Sequence, residues 1–392
     1  MPQADSPALR QGQPQTDLLI VGAGVMGLWA GLHAERLGIP ATVVEARRPG
    51  AGASGGLLGA LMPHMPDRWN DKKQFQFDAL LTLEAEIAAL EAATGLSAGY
   101  RRCGRLIPLA KPHLRRLAEG HMREAATLWK AEGRSFGWNV VDQPPLKDWI
   151  DPGAGEHGFV YDTLAGRLAP RALIAALTAH LQAGRHVRLL TDTPVTAIDV
   201  ERRRAVIHGT DFAFSKCIMA AGHQSFPLLQ PFGSMTARSL GQPVKGQSAL
   251  LQADIDPAVP AIFRDGLYIV AHEGGHVAVG STSEDSFDSP DDTDERLDTL
   301  IEAARDLVPA LKDAPVIERW AGLRPKAIDR DPMIGPHPTH PWLFALTGGF
   351  KVSFGLAHRL AEAAVQMAAG HALPFPVPAS FQFSHHLDIA ER

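Results

Sequence analysis

Apolar positions run unbroken from Leu18 to Val21 inside the stretch Asp17–Gly22, with no polar alternation. A strand that reads this way is buried on both faces, as in a parallel sheet. From Val25 to Leu37 the apolar positions recur at helical spacing, and Gly38 closes the element. Ile39-Pro40 turns the chain, and Ala41–Val44 forms a second short apolar run that ends at Glu45. The pattern predicts strand, helix and strand within about thirty residues, a complete βαβ unit. Further on, helical periodicity covers 75–93 and 294–311. Residues 226–285 change character, with short apolar runs punctuated by Gly and Pro that predict antiparallel strands.

Composition narrows the class without naming it. The 392 residues leave room for two or three domains. Hydrophobic residues at 45% and charged residues at 21% are ordinary for a soluble globular protein. The formal net charge of −5 offers no basic face for a phosphodiester backbone, which argues against nucleic acid as a partner. Two cysteines, Cys103 and Cys217, are too few and too far apart for a disulfide framework or a metal knuckle, and they suit a reducing cytoplasm. No apolar run approaches the ~20 residues that span a bilayer. Residues 1–15 are polar and proline-containing and lack a secretory core, so a flexible leader is expected there.

Glycines supply the first chemistry. Gly22, Gly24 and Gly27 stand in G-x-G-x-x-G spacing between the first strand and its helix. In that context Gly22 permits a tight turn, Gly24 lets the backbone approach a pyrophosphate, and Gly27 allows close helix–strand packing. Glu45, at the end of the second strand, can accept from a ribose 2′-hydroxyl and would repel the 2′-phosphate of NADP. A second glycine-rich loop follows at 47–59, RRPGAGASGGLLG, and suits a long flavin dinucleotide lying extended. Within it, G-A-S-G-G matches the serine-hydrolase elbow. That elbow needs a strand running into the serine, whereas Ser54 follows loop.

VGAGVMG, VVEA and GASGGLLGALMPH, in this order, resemble the D-amino acid oxidase and glycine oxidase family of FAD-dependent oxidoreductases. So do GRLAPRALIAALTAHLQ (166–182), TPVTAIDV (193–200), CIMAAGHQS (217–225) and VKGQSALL (244–251). GLYIVAHEGGHVAVGSTSE (266–284), AGLRPKAIDRDPMIGP (321–336) and LFALTGGFKVSFGLAHRLAE (343–362) complete the series. The resemblance covers nearly all of the chain after residue 16. It implies an α/β fold in which a Rossmann-like FAD-binding domain with a parallel sheet carries a second, α+β domain built on an antiparallel sheet with helices. The FAD-binding domain would be discontinuous (16–63, 160–225 and 322–372), with the substrate domain at 64–159 and 226–321 and a C-terminal tail at 373–392.

The resemblance also implies a site. FAD, bound noncovalently, would lie against Gly22, Ala23, Gly24, Val25, Met26 and Gly27, against Glu45, Ala46 and Arg47, and against Ala53, Ser54 and Gly59. Val195 would sit at the adenine, and Ala221 and Gly222 would mark the chain's return to the cofactor. Gly349, Phe350, Lys351, Val352 and Ser353 would hold the flavin, where a helix N-terminus stabilises negative charge. Flavin chemistry asks the protein mainly to fix the substrate and tune the cofactor. Arg324, in GLRP, matches the family's carboxylate-binding arginine, and a planar guanidinium binds a carboxylate with two parallel bonds. Tyr268 lines the pocket in the family, although a core tyrosine on a strand reads the same. Lys351 falls where glycine oxidase-like members carry a basic residue beside the flavin.

The activity this implies is oxidation of the Cα–N bond of a small amino acid (glycine, sarcosine or a D-amino acid), by hydride transfer to flavin N5, with O2 or another acceptor reoxidising the cofactor. A 2-hydroxy acid dehydrogenase and a tRNA-modifying flavin oxidoreductase of the same fold are the competing readings. Arg324 serves a hydroxy acid equally well, and the acidic net charge disfavours tRNA. The oxygen-activating lysine of sarcosine oxidases is replaced by Ala278, and Lys245 reads as structural. No cysteine occurs at 318–360 to attach a flavin, and His64 reads as a loop residue. His272-Glu-Gly-Gly-His276 matches the zinc signature H-E-x-x-H, but two glycines break the helix that motif needs, so a hairpin and no metal are expected. The acidic run from Glu284 to Glu295 reads as a solvated loop.

Overall fold

A computed structural model of the protein describes residues 15–131, 133–199, 201–232 and 238–392. Most of the expected leader lies outside the described residues, and the first strand already begins at Gln15. Five parallel strands form one sheet in the order Val187–Leu190, Ala41–Val44, Gln15–Val21, Thr210–Met219 and Leu343–Thr347. The strand Met333–Pro336 adds antiparallel to Leu343–Thr347, and the hairpin of Val195–Asp199 and Arg204–Ile207 pairs with the start of Thr210–Met219. Leu18 and Ile20 pack into one core layer and Leu19 and Val21 into another, which is why the first strand is apolar without alternation. Helices Val25–Arg36, Pro170–Ala183 and Ser353–Ala369 pack together with Leu18 and Ile20 in the first of those layers.

The second sheet has eight strands, in the order Val316–Ala327, Gly241–Gln252, His276–Gly280, Leu267–His272, Ala261–Arg264, Arg105–Pro108, Phe159–Asp162 and Trp138–Val141. It is antiparallel except where Ala261–Arg264 meets Arg105–Pro108. Helix Glu295–Leu307 packs Leu297, Ile301, Ala304 and Leu307 against it.

Several expectations need adjustment. The limits drawn at 160 and 322 cut through Phe159–Asp162 and Val316–Ala327, both of which run whole in the second sheet. The helix Asp71–Thr94 starts at an Asn70 cap, whose Oδ1 accepts from Lys72 N and Lys73 N, and stops at Gly95 in the left-handed region. Although it falls in a stretch assigned to the substrate domain, its apolar face joins the helical layer of the first sheet. Residues 373–392 are not a loose tail: helix Phe383–Glu391 buries Phe383, Leu387 and Ala390 beside Met333 and Leu343. The zinc-like stretch is a hairpin, with Gly274 and Gly275 at φ 78° and 69° between two strands. His272 Nε2 meets Leu58 O, and Glu273 pairs with Arg167. No helix among the described residues is long and apolar enough to cross a membrane.

Candidate active site

One cavity of about 1120 Å³ lies between the two sheets and is lined by both. It exceeds the ~300–1,000 Å³ usual for a small-molecule pocket, leaving room for a dinucleotide and a small substrate. At one end the first strand runs out at Val21 and Gly22 turns the chain at φ +105°, its N–H donating to Val44 O at 2.7 Å. A Cβ on Gly22 would fall 2.5 Å from Ala220 O, and one on Gly27 would fall 1.9 Å from Gly22 O. Both glycines are demanded by packing. Glu45 closes the turn, accepting from Ala23 N at 2.8 Å and from Arg47 N at 3.0 Å. Ser54 sits in a short 3-10 turn, Ala53–Gly55, and accepts from Val25 N at 2.9 Å.

Two helix N-termini open onto the cavity. Gly24 and Val352, the residues preceding helices Val25–Arg36 and Ser353–Ala369, provide no side-chain cap. The first turn of a helix leaves N–H groups without intrahelical partners and carries the positive end of its dipole. Met26 lines the cavity at the first of these turns, and Phe350, Lys351, Val352 and Ser353 line it at the second. Ser54 Oγ takes the Val25 N–H of the first start, and the remaining free N–H groups of both cavity-facing starts suit the pyrophosphate and the electron-rich ring of FAD.

The far end is built by side chains of the second sheet. Arg324 stands on Val316–Ala327 opposite Val244, and its guanidinium lies over Gly246, whose Cβ would come within 2.1 Å of Cζ and both Nη atoms. Nη1 donates to Thr282 O at 3.0 Å, and no carboxylate among the described residues pairs with it. Burial lowers its pKa to about 10, with Tyr268 and Glu284 opposing the shift. Tyr268 lies in ring contact with Phe263 at 4.8 Å, and burial raises its hydroxyl pKa. Lys351 lines the same cavity, and partial burial, then the charge of Arg324, lowers its pKa. Lys245 points away from the cavity, into a buried cluster with Glu284 at 4.0 Å and Asp294 at 3.9 Å.

Of the residues assigned to the FAD and substrate site from the sequence, all line this cavity except Ala23, Gly27 and Gly349. Ala23 spends its N–H on Glu45. Gly27 and Gly349 are spacers beneath the site, since a Cβ on Gly349 would meet Met26 Cε and Ser353 Oγ at 2.5 Å. His64 lines the cavity too, and its backbone N donates to Gln76. Sequence reasoning missed Trp320, Ser248 and Arg105, which also line it. Trp320 and Ser248 were within reach, because Trp320 lies four positions before Arg324 on the same strand and pairs with Ser248 across it.

Comparison with known proteins identifies the family and the fold. The family described as DAO, FAD dependent oxidoreductase, matches residues 17–363. A glycine oxidase of Pseudomonas aeruginosa is 28% identical over 362 residues, covering 87% of this chain and 91% of that protein. The structure of glycine oxidase from Geobacillus kaustophilus superimposes with a TM-score of 0.81 at 21% identity, covering 94% of this chain and 98% of that one. Iminodiacetate oxidase from a Chelativorans species gives a TM-score of 0.80 at 20% identity, over 93% and 98%.

Proposed function

The chain belongs to the DAO family of FAD-dependent oxidoreductases, and from that premise we propose that it oxidises the Cα–N bond of a small amino acid. Glycine, sarcosine and D-amino acids are the candidate donors, and O2 or another acceptor takes the electrons. Glycine oxidases among the relatives support an amine donor. In this reading the first sheet and its helices form the cofactor layer and the second sheet carries the substrate residues.

Arg324 carries the proposal. It is a guanidinium in the same cavity as the dinucleotide turn, seated on Gly246, with one carbonyl partner and no acidic one among the described residues. Such a group binds a carboxylate through paired charge-assisted bonds and fixes the rotation of the attached Cα. Tyr268 closes the pocket beside it. FAD, when bound, would take a hydride from the substrate Cα and hold the negative charge that follows. Lys351 and the N-terminus of Ser353–Ala369 present positive potential on that side of the cavity. Gly22–Gly27, Glu45 and Ser54 would hold the dinucleotide. Neither cysteine lines the cavity and both are buried and unpaired, which supports noncovalent attachment and a reducing compartment.

The test is anaerobic addition of amino acids and 2-hydroxy acids to the purified yellow protein, followed at the flavin band. Bleaching by an amino acid is the expected result. Bleaching by hydroxy acids alone would transfer the assignment to a 2-hydroxy acid dehydrogenase, and a folded protein that takes up no flavin would end the proposal.

A further inference from the structure

Charge is distributed unevenly around the cavity. Glu45 is its only lining carboxylate among the described residues, whereas Arg324, Lys351 and Arg105 all line it. Arg105 belongs to none of the motifs above. It starts the strand Arg105–Pro108 and stands directly opposite Asp162, with 3% and 0% of the two residues exposed. Its Nε and Nη2 both reach Asp162 Oδ2, at 2.8 and 2.6 Å. Oδ1 of Asp162 accepts from Leu164 N at 2.9 Å and Ala165 N at 2.8 Å, so the carboxylate is fully used. The guanidinium also lies 5.5 Å from the Trp138 ring centroid. It is therefore held rigidly from two sides.

Nη1 is left over. It has no partner among the described residues and, unlike Nε of Arg102 and Arg167, it is not sealed from solvent. Arg105 lines the cavity, and a purely structural ion pair has no need to keep a donor unpartnered there. Tyr268, Arg105 and Arg324 all line the same cavity, and the charges of both arginines act on the Tyr268 hydroxyl. A zwitterionic monocarboxylate would bring no net charge to this cation-lined end, whereas a substrate with a second carboxylate would bring one negative charge.

Building on the amino acid oxidation proposed above, we propose that Arg105 is a specificity-determining residue: its free Nη1 receives a second carboxylate of a substrate whose α-carboxylate lies on Arg324. The preferred substrates are then amines bearing two carboxylates, as an amino-dicarboxylic acid or an N-carboxyalkyl amino acid. Asp162 positions Arg105 and does not touch the substrate.

The holoenzyme tests this through ratios of kcat/KM from flavin bleaching: iminodiacetate against N-propylglycine, and D-aspartate against D-leucine. At least one dicarboxylate is expected to exceed its apolar counterpart tenfold or more. In the paired variant Arg105→Met with Asp162→Asn, which leaves no lone buried charge, that ratio is expected to fall to about one, the scale of a lost charged contact. Arg105→Lys, which keeps the charge beside Asp162 but loses the fork, should lower the ratio as well and provides the reading if the paired variant does not load flavin. Bleaching by amino acids without a dicarboxylate preference, or a preference unchanged in these variants, would overturn the role of Arg105 alone. No bleaching by any amino acid would overturn the proposed function and this inference together.

Discussion

At the proposed dinucleotide end the cavity wall is mainly backbone, supplied by Gly22, Gly24, Val25 and Met26, by Ala53 and Ser54, and by the start of helix Ser353–Ala369. At the substrate end it is side chains, brought by strands of the second sheet from widely separated parts of the sequence. A backbone site depends on what is absent, because Gly22, Gly27 and Gly55 mark places where a Cβ would collide with backbone oxygens. A side-chain site depends on what is present and on what holds it still. Arg324 combines the two, since its guanidinium lies in the space that Gly246 leaves free. Damage at the first end should therefore remove the cofactor, and damage at the second should spare the cofactor and remove turnover.

Gly27→Val is the harshest test. Its Cβ would sit 1.9 Å from Gly22 O, a backbone atom of the turn itself. The cost should exceed the ~3 kcal/mol at the upper end of ordinary overpacking, because helix and turn cannot both keep their places. The expected outcome is protein without flavin and with a lowered Tm, read from the visible spectrum and a thermal melt. A yellow, stable Gly27→Val protein would mean that the turn does not hold the cofactor. Arg324→Met comes next. Truncating one member of a desolvated charge pair costs ~2–5 kcal/mol, so kcat/KM should fall on the order of a hundredfold to a thousandfold with the flavin spectrum intact. If flavin were lost instead, the contrast between the two ends would collapse.

Gly246→Ala sharpens the contrast within the second end. The added methyl would meet Arg324 at 2.1 Å and has to push the guanidinium aside, while the strand pairing Gly246 to Gly322 is unaffected in principle. A displacement on the order of 1 Å at a positioning group costs up to about a hundredfold in rate. The expected loss in kcat/KM is about tenfold to a hundredfold, mostly in KM, with no change in flavin content. Wild-type kinetics in this variant would show that Arg324 does not set the substrate's position.

The same division decides what was legible in the sequence. The turn was readable because its requirements are local: glycines at fixed spacing, an apolar strand before them and a carboxylate after the second strand. Arg324 was readable only through the family likeness of GLRP, since nothing near it in sequence says which cavity it faces. Arg105 was not readable at all, because its meaning depends on Asp162, 57 residues away and joined to it only by strand register. The helix Phe383–Glu391 was missed for a different reason. Phe383, Leu387 and Ala390 do repeat at helical spacing, but nine residues make a weak signal until the sheet that buries them is known.

Glu45→Gln is the mildest probe and the one that separates two roles at the first end. The carboxylate already accepts from Ala23 N and Arg47 N, at 2.8 and 3.0 Å, so it shapes the turn before any ligand arrives. If it also receives a ribose hydroxyl, an amide in its place loses a charge-assisted bond and turns an NH2 group toward a donor. Hydrogen bonds to charged groups contribute ~1.5–3 kcal/mol, and the amide retains part of this, so FAD affinity should weaken about tenfold. The measurement is the Kd for FAD, by titration of the stripped protein, beside the melting curve of that same stripped protein. Weaker affinity with an unchanged melt assigns Glu45 to the ribose. Equal losses in both assign it to the turn, and the cofactor end would then be a pure backbone site.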